Sequence, residues 1–195
     1  MSTSEGERDP TEVPLDAPSV PLRRAPSLVL IHTGDGKGKS SAAFGTMLRA
    51  LARGWRVAVV QFLKSDAWHV GEEKIGVQLG VDWWQLGDGF TWESTDLDRT
   101  QAVAQAAWAH ARAVLAAGAH ELVILDEITY PVNWGWIALD DVVRAITERP
   151  AHVNVIVTGR DAPAALVELG DTVTEMRNVR HAYERGIRAK RGIDY

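Results

Sequence analysis

Apolar and polar positions fall in alternating blocks along this chain. Short apolar runs such as Leu28-Val29-Leu30-Ile31 and Leu122-Val123-Ile124-Leu125 are separated by longer stretches in which small and apolar residues recur at helical intervals. A short unbroken run fits a strand buried on both faces, and the wider spacing fits a helix lying on a sheet. The pattern predicts strands near 28–32, 55–62, 81–86, 121–126, 153–158 and 171–176, with helices near 39–53, 71–79, 95–117, 139–148 and 162–169. Such alternation implies parallel strands joined by right-handed crossovers. The expected fold is therefore α/β, a three-layer α/β/α sandwich on a mostly parallel sheet, with ligands at the carboxyl ends of the strands.

The longest predicted helix carries Val103, Ala106, Ala107, Ala111, Val114 and Leu115 at helical spacing, with Asp96 and Asp98 near its start, and reads as a packing helix. Residues 1–26 break the pattern: they hold five of the eight prolines and no periodic apolar positions. That composition predicts a disordered, proline-rich lead, leaving 27–195 as one domain.

Composition narrows the chemistry. With 46% apolar residues in 195, the chain matches ordinary globular proteins. No segment approaches the roughly 18 uninterrupted apolar residues of a membrane span, and no charged head with an apolar centre marks a signal peptide, so a cytoplasmic protein without a membrane partner is expected. The absence of cysteine excludes disulfides, thiolate metal sites and cysteine nucleophiles. A formal charge of −5 argues against nucleic acid as a partner. The charge is uneven, since residues 177–195 carry six Lys or Arg against Glu184 and Asp194. This basic arm is either a solvated surface or a contact for an anion. Six histidines show no zinc-type spacing and no Ser-His-Asp arrangement.

The most informative segment is Gly34-Asp35-Gly36-Lys37-Gly38-Lys39-Ser40, set between the first apolar run and an alanine-rich helix. Glycines allow successive backbone N–H groups to face phosphate oxygens, Lys39 adds a point charge, Ser40 offers a hydroxyl to Mg²⁺, and the helix that follows turns its positive end toward the anion. A phosphate-loop NTPase architecture of the RecA-like kind is expected, with Gly34, Asp35, Gly36, Lys37, Gly38, Lys39, Ser40 and Ser41 as the nucleotide-binding residues. The common spacing would place its first glycine at position 33, which is Thr33, so the first glycine comes one residue late. Ordinary hydrolysis of the terminal phosphate therefore does not follow from the loop.

The run that ends in Asp126-Glu127 reads as the strand on the Mg²⁺ side of such a loop, with Ser40, Asp126 and Glu127 as candidate metal ligands. Thr158-Gly159-Arg160 ends another apolar run, which puts Arg160 on the same edge of the sheet as a candidate contact for triphosphate or substrate. From these residues alone, a small phosphate-loop kinase or NTPase and a nucleotide-dependent switch module both remain open.

Eight tryptophans are present, and several cluster: Trp83, Trp84 and Trp92 around Phe90, then Trp134 and Trp136 beyond the acidic pair. Trp83 and Trp84 lie on a predicted strand and are explained by packing. Gly87-Asp88-Gly89-Phe90-Thr91-Trp92-Glu93 reads instead as a loop at a strand's carboxyl end, where two large aromatics form either a cap on the core or a wall against a flat ligand.

Taken together, Thr33 to Gly45, Gly89-Phe90-Thr91-Trp92-Glu93 and Leu125-Asp126-Glu127 resemble the ATP:corrinoid adenosyltransferases of the phosphate-loop type. The likeness runs from about residue 27 to the Gly192-Ile193-Asp194-Tyr195 end. It implies that a reduced Co(I) corrinoid, such as cobyrinic acid a,c-diamide, cobinamide or cobalamin, attacks the 5′ carbon of ATP and that triphosphate leaves. It also implies ATP held in the reverse sense to hydrolases, Mg²⁺ as cofactor, a flavoprotein or reduced flavin as electron donor, and a homodimer. On the matching positions, Lys39, Phe90, Trp92 and Glu127 are the expected catalytic residues. Phe90 and Trp92 correspond to the aromatics that displace the corrinoid's lower axial ligand, and Glu127 to the acid near Mg²⁺. Family members often carry a charged helical segment at the N-terminus, where this chain has its proline-rich lead.

Overall fold

The computed structural model describes residues 21–63, 71–87 and 97–194. Six strands, β1 (Val29–Thr33), β2 (Val57–Gln61), β3 (Asp82–Gln85), β4 (Leu122–Asp126), β5 (Asn154–Thr158) and β6 (Thr172–Glu175), form one sheet in the order β3-β2-β4-β5-β1-β6. All five strand pairings are parallel. The helices are α1 (Lys39–Leu51), α2 (Gly71–Gln78), α3 (Leu97–Ala117), α4 (Thr129–Asn133), α5 (Leu139–Thr147) and α6 (Ala164–Leu169).

Alternation along the strands divides the core between the two faces of the sheet. Val57 and Val59 of β2, Leu122 and Ile124 of β4 and Ile156 of β5 pack with Ala43, Phe44 and Met47 of α1. The intervening Ala58, Val60, Val123, Leu125, Val155 and Val157 pack on the other face with residues of α3, α5 and α6, among them Trp108, Val142, Ile146 and Leu166. Period-two side chains on strands covered on both sides produce three layers, as the sequence predicts.

Trp83 and Trp84 follow the same rule. Trp83 meets Phe44 with ring centroids 5.1 Å apart on the α1 side, while Trp84 meets His110 of α3 at 4.6 Å on the opposite side.

Some elements differ from the expectation. The short helix α4, immediately after the acidic pair, was not predicted. Its Pro131 reads as a turn signal, yet a proline in a first helical turn removes only an N–H that has no intrahelical partner. The buried stripe of α3 is Thr100, Ala104, Ala107, Trp108, Ala111 and Leu115, with Ala106 exposed and Val103 and Val114 half-buried. The bulk of Trp108 orients the helix, and an alanine-rich pattern leaves that orientation underdetermined.

Residues 21–26 are exposed and without regular structure. The rest of the proposed lead, 1–20, and the aromatic loop residues Phe90 and Trp92 lie outside the described residues, as does Asp96. Among the described residues no helix is long and apolar enough to cross a membrane. The basic arm runs from the end of β6 through a 3-10 turn at Tyr183–Arg185.

Candidate functional site

Strand order positions the site. β5 stands between β1, which feeds the glycine loop, and β4, which ends in the acidic pair. The turn after β5 therefore emerges between them, and it carries Arg160. Lys39 lies within electrostatic reach of Arg160, Glu127, Asp35 and Asp126, all four at the carboxyl ends of β1, β4 and β5. The sequence-predicted loop, acidic pair and arginine are thus brought to one place.

The displaced first glycine has a local cause. Thr33 completes β1, and its hydroxyl accepts the amide of Ala162 at 3.0 Å, tying the loop strand to the turn after β5. Gly34 then takes φ +92, and a Cβ there would lie 2.5 Å from the carbonyl oxygen of Met176. Gly36 donates its amide to that carbonyl at 2.6 Å, and a Cβ on it would meet the backbone of Arg177 at 2.8 Å. The loop is pressed against the chain leaving β6 at distances that only glycine permits.

The loop ends at Gly38, the N-cap of α1, where no side chain satisfies the first N–H groups of the helix. Those groups and the helix dipole favour an anion. Ser40 lies in the first turn, half-buried, and Ser41 beside it is exposed.

Lys39 Nζ donates to the carbonyls of Gly34 and Gly36, each at 2.7 Å, so the ammonium sits over the loop. Its pKa is lowered, first by burial and then by Arg160; Glu127, Asp35 and Asp126 oppose the shift. A desolvated ammonium that also feels a guanidinium gains from a shared anion between the two. Lys37 points the other way and forms an ion pair with Asp194, fastening the C-terminal segment to the outside of the loop.

On the β4 side, Asp126 is fully buried. Its Oδ2 accepts from Gln61 Nε2 at 2.8 Å and its Oδ1 from the Thr158 hydroxyl at 2.7 Å, so both carboxylate oxygens serve as acceptors. Thr158 Oγ1 in turn accepts the amide of Glu127 at 2.9 Å. Glu127 has φ +65, a conformation that costs a non-glycine residue about 1–3 kcal/mol and so is retained only where the surroundings hold it.

The turn after β5 is anchored to α4, where Thr129 Oγ1 donates to the Arg160 carbonyl at 2.7 Å and Asn133 Nδ2 to the Asp161 carbonyl at 3.0 Å. Tyr130, also on α4, has its hydroxyl pKa raised by burial and then by Glu127, with Arg160 opposing. From Tyr130 the rings step outward to Trp134 at 5.7 Å and Trp136 at 4.8 Å.

Gln61, Thr158 and Tyr130 were not singled out in the sequence. The signal was there in weak form, because β2, β4 and β5 each end an apolar run on a polar residue facing the α1 side.

The family described as ATP:corrinoid adenosyltransferase BtuR/CobO/CobP matches residues 25–195. The chain belongs to this family.

Its relatives include the corrinoid adenosyltransferase of Escherichia coli K12, 42% identical over 168 residues, which cover 86% of this chain and 85% of the relative. Corrinoid adenosyltransferase CobA of Salmonella typhimurium LT2 is 39% identical over 181 residues, 93% of this chain and 92% of that one. The corrinoid adenosyltransferase of Pseudomonas aeruginosa PAO1 is 45% identical over 170 residues, 86% and 83% of the two chains. The substrates of this adenosyltransferase are ATP and a corrinoid, and its reaction transfers the 5′-deoxyadenosyl group to cobalt in adenosylcobalamin synthesis. The kinase and switch readings are set aside by that membership.

Proposed function

We propose that the residues gathered at the carboxyl edge divide the work of this transfer as follows. The loop from Gly34 to Ser41, with Lys39 at its centre, holds the triphosphate of ATP. Ser40, Asp126 and Glu127 supply the hard oxygen ligands for Mg²⁺, directly or through water, and Arg160 contacts the triphosphate from the β5 side. A buried carboxylate at Asp126, oriented by the Gln61 amide and the Thr158 hydroxyl, fits a divalent cation with oxygen preference. Mg²⁺ in that position supplies charge neutralisation to the triphosphate.

In the reaction a Co–C5′ bond forms as the C5′–O bond breaks, and the electron pair of that bond leaves on the triphosphate. The nucleophile is the electron-rich cobalt of the substrate, so no protein base is needed. What the chain contributes is preorganised positive charge where negative charge accumulates: the loop N–H groups, the start of α1, Lys39 and Arg160. Phe90 and Trp92, by family resemblance, form the apolar wall that removes the corrinoid's lower axial donor and eases reduction of Co(II) to Co(I) by a flavin-type donor. A homodimer, on the same resemblance, and a cytoplasmic setting, on composition, complete the reading.

The observation that carries this assignment is the convergence of Lys39 with Arg160, Asp126 and Glu127 across three adjacent strands. The test is anaerobic incubation of chemically reduced Co(I) corrinoid with MgATP, followed by its visible spectrum. Wild type forms adenosylcorrinoid, and the Arg160→Ala and Glu127→Gln variants are slowed with a raised KM for MgATP. Unchanged kinetics in both variants would overturn the assignment of roles.

A further inference from the structure

The carboxyl ends of the strands carry a row of polar side chains on the α1 face. His32 pairs in register with Thr158, and Gln61 pairs with Asp126 on one side and with Gln85 on the other. Gln61 lies at the middle of this row, 1% exposed. A buried primary amide has to satisfy both its ends, and here each end has a distinct partner. Its Nε2 donates to Asp126 Oδ2 at 2.8 Å, while its Oε1 accepts from Trp83 Nε1 at 3.0 Å and from Gln85 Nε2 at 3.2 Å.

The indole N–H of Trp83 can only donate. It therefore obliges Gln61 to turn its oxygen toward β3 and its NH₂ toward Asp126, so the amide has one orientation rather than two. Trp83 is itself held by packing on Phe44, and Gln85 is tied to Glu73 of α2 at 3.0 Å. Together these contacts fix the rotamer of the Asp126 carboxylate from the side opposite Thr158.

We infer that Gln61 is a positioning residue for adenosyl transfer: its amide, oriented by Trp83, holds the Asp126 carboxylate in the rotamer that receives the metal-bound triphosphate. This rests on the reading of Asp126 as part of the Mg²⁺ end of the site. Gln61 touches neither substrate, and acts only through the carboxylate.

The experiment compares two dissociation constants measured by calorimetry on the full-length protein, one for ATP with Mn²⁺ and one for ATP in chelator. Gln61→Met keeps the length and volume of the side chain and removes both hydrogen-bonding ends. It is expected to weaken Mn²⁺·ATP binding about tenfold or more while leaving metal-free ATP within about twofold. Trp83→Phe, which deletes the donor that sets the amide's orientation, is expected to act in the same direction by about two- to fivefold, and it carries the test should Gln61→Met not fold. A parallel loss in both constants marks a merely structural role and overturns the inference, as does a wild-type ratio in Trp83→Phe and Gln61→Met alike. If wild-type ATP binding is itself indifferent to metal, the Asp126 assignment fails first, and with it the inference.

Discussion

The hydroxyl of Thr158 donates to Asp126 Oδ1 at 2.7 Å, and the same oxygen accepts the amide of Glu127. One side chain at the end of β5 thereby braces both members of the acidic pair on β4 and stabilises the left-handed backbone at Glu127. Thr158→Val, close in shape, removes both bonds and is expected to destabilise the fold by about 1–3 kcal/mol and to raise the Mg²⁺ concentration needed for half-maximal activity. Thr158→Ser restores both readouts. Thermal melts and Mg²⁺ titrations of the two variants check this.

Lys39 combines charge with a fixed position over the loop. Lys39→Ala is expected to lower kcat/KM by at least about a hundredfold, the scale for losing a preorganised donor to a leaving anion. Lys39→Arg does not rescue it, because a guanidinium cannot be held by the Gly34 and Gly36 carbonyls in the same space. Steady-state kinetics with Co(I) corrinoid measure both.

Gly36 is close to the chain after β6 without a positive φ, so its requirement is steric. Gly36→Ala drives a Cβ to 2.8 Å from the Arg177 carbonyl carbon and from Met176 O. The expected result is a loss of about 1–3 kcal/mol in stability together with a raised KM for ATP and an unaltered KM for corrinoid.

His32 is buried beside the start of α1, with Nδ1 3.2 Å from the Lys39 carbonyl, and burial lowers its pKa from the ordinary 6.5. At neutral pH and above, both the folded and the unfolded chain hold the imidazole neutral. As pH falls below about 6.5 the unfolded chain takes up the proton first, so it binds more protons than the folded one and stability declines. The decline ends once pH has passed below the depressed folded value. His32→Gln is expected to flatten this part of the profile, measured as Tm between neutral and mildly acidic pH.

Trp92→Ala separates reduction from transfer. The variant is expected to lose activity chiefly when the starting corrinoid is Co(II) with a flavin reductant, and far less when chemically made Co(I) is supplied. Equal losses in both assays would remove the role in ligand displacement.

The sheet was legible because β1, β2, β4 and β5 are near-continuous apolar runs, which have few alternatives as buried strands. The loop was legible because three glycines, Lys39 and Ser40 occur together at a junction where a strand meets a helix, and Arg160 because it follows a strand end directly. Gln61 and Thr158 were not, since a single polar residue closing an apolar run looks like ordinary punctuation until parallel register sets it beside Asp126. Tyr130 was hidden for a related reason: the Thr-Tyr-Pro-Val-Asn run reads as a turn, and only the helix it forms carries the ring back to Glu127 and Arg160.

The central claim is that the loop grips ATP by its triphosphate so that the sugar carbon, not the terminal phosphorus, meets the nucleophile. Phosphorus NMR of an anaerobic reaction with Co(I) corrinoid and MgATP tests it most directly. Free triphosphate accumulating in equal amount to adenosylcorrinoid is the predicted result, whereas ADP or orthophosphate appearing as the primary product without a cobalt–carbon bond would contradict it.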